Sequence, residues 1–264
     1  MTADRLGLGF LGFPDIRQLA ELGRTAEAVG FESVWVAETR ITRDAITGMT
    51  SLLMATERLR VGSAAINVFT RGAALTAVTW ATMAEAAPGR LVLGIGPGSP
   101  TPLAQQGYPF EDALSRLREF VEAVRAAWSH PAPVDYTGRF FRLSGLTPEV
   151  IPEAIPPIYF CVTGPQALEA AGAAADGVVL NAFMPPGYVE RARERLDDGA
   201  GGRFEGEVAG ALVVTIAESL PEAAARVRPI LATYLAFFPH LAKQTGLDPD
   251  FLERIQSIAR EEGL

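Results

Sequence analysis

Cysteine is nearly missing from this chain: Cys161 is the only one in 264 residues. No intrachain disulfide and no cysteine-ligated metal site can form, which fits a reducing cytoplasm. Histidine is almost as scarce, with His130 and His240 alone, so a histidine-rich metal centre is excluded and no metal is expected. Lys243 is the one lysine among 23 basic residues, a bias we take as genomic composition. Long apolar runs are absent too. No segment approaches the ~18 apolar residues needed to span a bilayer, and no basic region followed by an apolar run opens the chain. Positive charge is outweighed by negative, giving a net charge of -8 and a pI near 5.0. That balance argues against nucleic acid or an anionic membrane surface as a partner. The expectation is a cytoplasmic protein.

What the chain does have is alternation of short apolar strands and helical segments. Its clearest stretch is Arg90-Leu91-Val92-Leu93-Gly94-Ile95-Gly96-Pro97-Gly98-Ser99-Pro100. A continuous apolar run suits a parallel strand buried on both faces, and glycines at its end let the backbone turn or approach a ligand closely. A dinucleotide-binding turn needs a third glycine where Ser99 stands, and a helix starting inside the turn. The prolines at 97, 100, 102 and 109 predict that no helix begins before about Glu111, so that reading is rejected. Around this stretch, strands are expected at 6–10, 33–37, 59–66, 91–96, 158–162, 176–181 and 211–216. Helices are expected at 15–30, 44–56, 73–87, 111–128, from 165, at 187–196 and from 219 onward, with a hairpin inserted at 134–143 and a flexible loop at 199–206. Strand-helix units in this order mean a parallel sheet, and the length suits one domain over 1–264 of the TIM (β/α)8 barrel type. Only seven strands are found; the eighth strand-helix unit is missing. A chain cut short is the expectation, with an open barrel or a second chain filling the gap as alternatives.

Several stretches together resemble the luciferase-like flavin and deazaflavin oxidoreductases: residues 28–38, Thr56-Glu57-Arg58-Leu59-Arg60-Val61-Gly62, Asn67-Val68-Phe69-Thr70-Arg71, Pro88-Gly89-Arg90 with the stretch above, Tyr136-Thr137-Gly138, and Ala171-Gly172 with Ala175-Asp176-Gly177. They occur in the family's order up to about Leu180. The resemblance implies an α/β barrel that binds coenzyme F420 or flavin mononucleotide (FMN) at the C-terminal ends of its strands, and Gly94-x-Gly96-x-Gly98-Ser99-Pro100 looks more like the F420 branch. It implies a bulge at Ser63-Ala64-Ala65-Ile66, often with a cis non-prolyl peptide, backing the cofactor ring. It also implies a ring-lining loop at Gly96, Gly98 and Ser99, and a phosphate-holding turn at Thr163, Gly164, Gln166 and Ala167. Free amides at a helix N-terminus suit an anion, and Pro165 donates none.

For catalysis, Glu38 at the end of the second strand reads either as an acid/base group near the ring or as an exposed loop carboxylate. Asn67 reads either as a hydrogen-bond partner of ring or substrate or as a turn former. Arg71 faces phosphate or substrate, or forms a surface ion pair. Ser99 stands where some F420 enzymes of the group carry a catalytic acid, Thr39 where its sugar-phosphate dehydrogenases carry a histidine, and Gly9 where its methanopterin reductases carry an acid. Trp35, Trp80, Trp128, Met49, Met54 and Met83 are expected in the core. The apolar residues Tyr234, Phe237, Phe238 and Leu241 suit a pocket wall, a dimer surface or exposed core. The resulting expectation is an F420-dependent, homodimeric oxidoreductase. An FMN-dependent monooxygenase and a non-catalytic cofactor-binding paralogue are the alternatives.

Overall fold

The computed structural model describes residues 5–10, 12, 15–38, 43–129 and 131–261. Thr39 and His130, singled out above, lie outside the described residues. The chain packs as two compact units, 1–161 with 174–177, and 162–173 with 178–264.

In the first unit, β1 (Gly7–Phe10), β2 (Ser33–Val36), β3 (Arg60–Ser63), β4 (Ile66–Asn67), β5 (Leu91–Gly96) and, further along the chain, Ile158–Cys161 form parallel ladders. The connections are α1 (Ile16–Ala28) between β1 and β2, α2 (Ala45–Ala55) between β2 and β3, and α3 (Ala73–Ala86) between β4 and β5. Asp15 and Asp44 start α1 and α2 by accepting N–H bonds with their side chains. Gly30, at φ 95°, ends the α1 turn as a residue without a Cβ can. β5 is buried at all six positions. Burying each of Leu91, Val92, Leu93 and Ile95 contributes about 1.5–3 kcal/mol, which makes this strand the centre of the unit.

The strand expected over 59–66 is divided. The Ser63 hydroxyl donates to Gly94 O at 2.8 Å and accepts from Gly94 N at 3.0 Å, taking the place of a backbone ladder pair. A Cβ on Gly94 would lie 1.8 Å from Ser63 O, so only glycine permits this approach. The Ala64–Ala65 peptide is cis, as the resemblance implied, and pairing resumes with Ile66 opposite Ile95.

After β5 comes α4 (Pro100–Ala104), which corrects the expectation that no helix begins before Glu111. Pro100 and Pro102 sit in the first turn, where a missing N–H costs nothing. Then α5 (Ala113–Ala127) leads to the inserted hairpin, β6 (Val134–Thr137) and β7 (Arg142–Leu146), antiparallel as expected. Glu119 on α5 receives N–H bonds from Arg139, Phe140 and Phe141 at the hairpin tip. β8 (Ile158–Cys161) completes the unit, and Asp176 closes it by accepting from Ile158 N at 2.8 Å.

The second unit holds α6 (Pro165–Ala174), β9 (Gly177–Leu180), α7 (Pro186–Ala200), β10 (Glu207–Gly210), α8 (Leu220–Phe237), α9 (Pro239–Ala242) and α10 (Pro249–Glu261), except for the ends of α6 and β9 that belong to the first. Two expectations fail here. α7 continues to Ala200 where a loop was expected from Gly199, because that glycine lets the helix touch α6: a Cβ there would lie 1.9 Å from Glu169 O. The last strand is 207–210 and not 211–216. Leu212, Val214 and Ile216 are 77–85% exposed, so their alternation has no sheet face to bury it. Among the described residues no further parallel strand follows β10. Of the expected core residues, Met54 is instead 72% exposed. No helix among the described residues is long and apolar enough to cross a membrane.

Candidate functional site

Parallel strands place their carboxyl ends on one side, and the first unit brings most of the candidate residues to those ends. Glu38 follows β2, and Arg71 follows β4. The Arg71 Nε donates to both Glu38 oxygens at 2.9 Å and Nη2 donates to Oε2 at 2.6 Å. Nη2 also reaches Asp44 Oδ2, whose other oxygen caps α2 through Thr47 N at 2.7 Å. Both members of the Arg71–Glu38 pair are largely shielded, so Glu38 is not an exposed loop carboxylate. The hydrogen bonds it donates to Glu38 hold the Arg71 guanidinium above its usual range, burial opposing them. Asp44 is pushed up by burial, but its bonds from Thr47 and Arg71 outweigh this and leave it below the usual carboxylate range.

Asn67 serves the turn reading directly: its Oδ1 accepts from Phe69 N at 2.8 Å. Its Nδ2 lies against Gly98, where a Cβ would be 2.2 Å away and φ is +69°, so Gly98 is required both by conformation and by space. Gly96 pairs with Asn67 in the ladder, and Ala65 Cβ would be 3.2 Å from any Cβ at 96. Ala64 and Ala65 are partly exposed beside buried Ile66, while Ser63 is wholly buried with its hydroxyl spent on Gly94. Ser99 begins α4 without a side-chain capping bond. Cys161, at the end of β8, is partly exposed, and desolvation pushes its thiol up to about 12.

The second unit carries the turn expected to hold a phosphate. Thr163 is 9% exposed, and among the described residues its hydroxyl has no hydrogen-bond partner. Space is open at Gly164, and α6 begins directly after it, so the first-turn N–H groups at Gln166 and Ala167 have no intrahelical acceptor. A phosphate fits this donor set. Tyr188 was not singled out in the sequence; its hydroxyl donates to Thr163 O at 2.8 Å. A buried helix tyrosine outside every motif carries no sequence signal for that contact. Phe183, at φ 65°, packs edge-on against Tyr234, 4.8 Å between centroids, and Tyr234 packs against Phe238.

A surface cavity of about 670 Å³ lies away from the strand carboxyl ends. It is lined by Thr56, Glu57, Arg58, Pro88 and Arg90, before β3 and β5. Arg90 is already engaged there with Leu53 O, Leu59 O and the Thr56 hydroxyl.

A model of the family described as luciferase-like monooxygenase matches residues 2–262. The chain is 29% identical to 5,10-methylenetetrahydromethanopterin reductase of Methanolobus tindarius over 92% of its own length and 75% of that protein. With the enzyme of the same name from Archaeoglobus fulgidus the identity is 33%, over 74% of this chain and 58% of that one, so it spans little more than half of that relative. The coenzyme F420 dependent tetrahydromethanopterin reductase from Methanopyrus kandleri superposes with a TM-score of 0.84 at 24% identity, over 98% of this chain and 80% of that one. The fold is therefore of the α/β-barrel type found in that reductase.

Proposed function

Since the chain belongs to the luciferase-like monooxygenase family, we propose that it is an oxidoreductase, one luciferase-like domain over 1–264, that moves a hydride between coenzyme F420 and a small organic substrate. The donor set at Thr163, Gly164, Gln166 and Ala167 carries this reading, because it offers a phosphate only hydrogen-bond donors. The F420 dependence of the Methanopyrus kandleri enzyme, alike over nearly the whole chain, supports the choice of cofactor. Coenzyme F420 supplies two-electron hydride chemistry when bound. The protein's own residues would hold and orient. Ala64, Ala65 and Ile66, with Gly96, Gly98 and Ser99, present small groups and backbone for close approach of a flat ring. Asn67 is fixed by its bond from Phe69 N, leaving its Nδ2–H₂ as a donor. Glu38 is oriented by Arg71 and is the acid/base candidate.

A titration with both ring systems tests the reading. F420 fluorescence is expected to quench saturably on adding protein, with FMN failing to compete. Binding of FMN without binding of F420 would transfer the chain to the flavin monooxygenases, and binding of either without turnover across a broad substrate panel would favour a non-catalytic paralogue. If Glu38 handles a proton in the reaction, Glu38→Gln lowers kcat by about 10²–10⁴-fold with the cofactor Kd unchanged. An unaltered kcat would remove Glu38 from that role.

We further propose a cytoplasmic homodimer. Of the 25 residues covered by α2 and α3, only Glu85 is charged, and between these helices runs an apolar groove lined by Ile46, Thr50, Met54, Val78, Thr79 and Met83. In a chain of net charge -8, an uncharged face is where two copies meet without repulsion.

A further inference from the structure

A turn that binds an anion must offer donors and hide its carbonyl oxygens, because a carbonyl dipole facing a phosphate repels it. The Thr163–Ala167 turn meets this condition by two separate bonds. Gly164 O accepts from Leu168 N at 2.9 Å, as the helix start requires. Thr163 O has no such helical partner and accepts instead from the Tyr188 hydroxyl at 2.8 Å. With both carbonyls occupied, the Thr163 hydroxyl, the open space at Gly164 and the first-turn N–H groups of α6 remain.

Tyr188 is held for this task. It lies in the first turn of α7, 2% exposed, with its own N–H bonded to Pro185 O at 2.9 Å. α7 cannot drift from α6, because the two helices touch backbone to backbone at two glycines. A Cβ on Gly172 would lie 2.1 Å from Leu196 O, and one on Gly199 would lie 1.9 Å from Glu169 O. Burial pushes the phenol up to about 12, against the smaller lowering from Thr163 and Arg191, so the hydroxyl keeps its proton and remains a donor at any physiological pH.

We propose that Tyr188 is a positioning residue: by tying back the Thr163 carbonyl it makes the β8–α6 turn an all-donor surface for the phosphate ester of the bound cofactor. The phosphate assignment rests on the function proposed above; the positioning of the turn does not.

Tyr188→Phe keeps the buried ring and removes only the hydrogen bond. In the free protein, amide hydrogen exchange at Leu168, whose N–H bonds to Gly164 O across the turn at 2.9 Å, should rise about fivefold relative to the later turns of α6. With ligand, the Kd for F420 should rise about fivefold, while the Kd for the same deazaflavin lacking its phosphate should stay within about twofold. Thr163→Val is the companion variant. It should weaken F420 binding with no change in turn exchange, separating the hydroxyl's contact from the positioning bond. Unchanged exchange in Tyr188→Phe would overturn the proposal, as would equal weakening for both chromophores. If neither chromophore binds the native protein, the cofactor reading fails, and the exchange arm still decides whether Tyr188 holds the turn.

Discussion

A carboxylate that collects backbone N–H groups holds a loop with one side chain, and Glu27 does so for the approach to β3. Its oxygens accept from Glu57 N, Arg58 N and Leu59 N, at 2.6 Å for Arg58. Burial pushes Glu27 up, but those three bonds outweigh it and set its carboxyl below the usual glutamate range. A group lowered on folding contributes stability that is complete above its unfolded value and fades as pH falls through the folded one. Melting temperatures of the native protein and Glu27→Gln should therefore differ most at pH 6–7 and converge as the pH falls below the ordinary glutamate value of about 4.3; a constant gap would mean the charge is irrelevant. Arg71 offers the converse case, a cation between Glu38 and Asp44. Arg71→Met leaves the shielded Glu38 without its partner, and urea denaturation should show a loss of about 1–3 kcal/mol. The double variant Arg71→Met with Glu38→Gln should recover part of it, since the stranded charge is then gone.

At the level of elements, the sequence was most readable where packing follows local pattern. β5 stands at 91–96 as its apolar run predicted, and the first two helices begin beside Asp15 and Asp44 within the ranges expected for them. The motifs that carried the family resemblance are largely scaffold. Arg90 ties the end of α2, Asp176 ties β8, and Gly138 leaves room for Glu119, whose Oε1 would lie 2.0 Å from a Cβ there. This is why the family was legible and the chemistry less so: the Glu38–Arg71 pair and the Tyr188 bond join residues 33 and 25 positions apart, which no local pattern encodes. The misplaced strand at 211–216 and the early end given to α7 have the same origin, since alternation does not say which face has a partner, and a glycine can mark a close contact as well as a break. Gly199→Ala tests the latter. Helix propensity alone favours alanine by about 1 kcal/mol, yet the backbone clash with Glu169 should win and destabilise the protein by about 1–3 kcal/mol. Thermal melts showing a gain would mean that α6 and α7 part easily. Glu119→Ala should free the hairpin tip, raising hydrogen exchange at residues 139–141 by at least about tenfold.

At the scale of the whole molecule, charge decides which faces can meet. Met54→Glu puts two like charges into the proposed α2–α3 contact, and sedimentation should show dimer giving way to monomer. Retained dimer with Met54→Glu would place the interface elsewhere. The desolvation of the Cys161 thiol has a practical result of another kind. A thiol raised to about 12 has almost no thiolate at neutral pH, and thiolate is what maleimides and iodoacetamides attack. A cysteine introduced on an exposed loop should therefore take up a maleimide label faster than Cys161, and mass spectrometry of the labelled protein checks whether a spin label or dye can be addressed to that loop with the native residue in place.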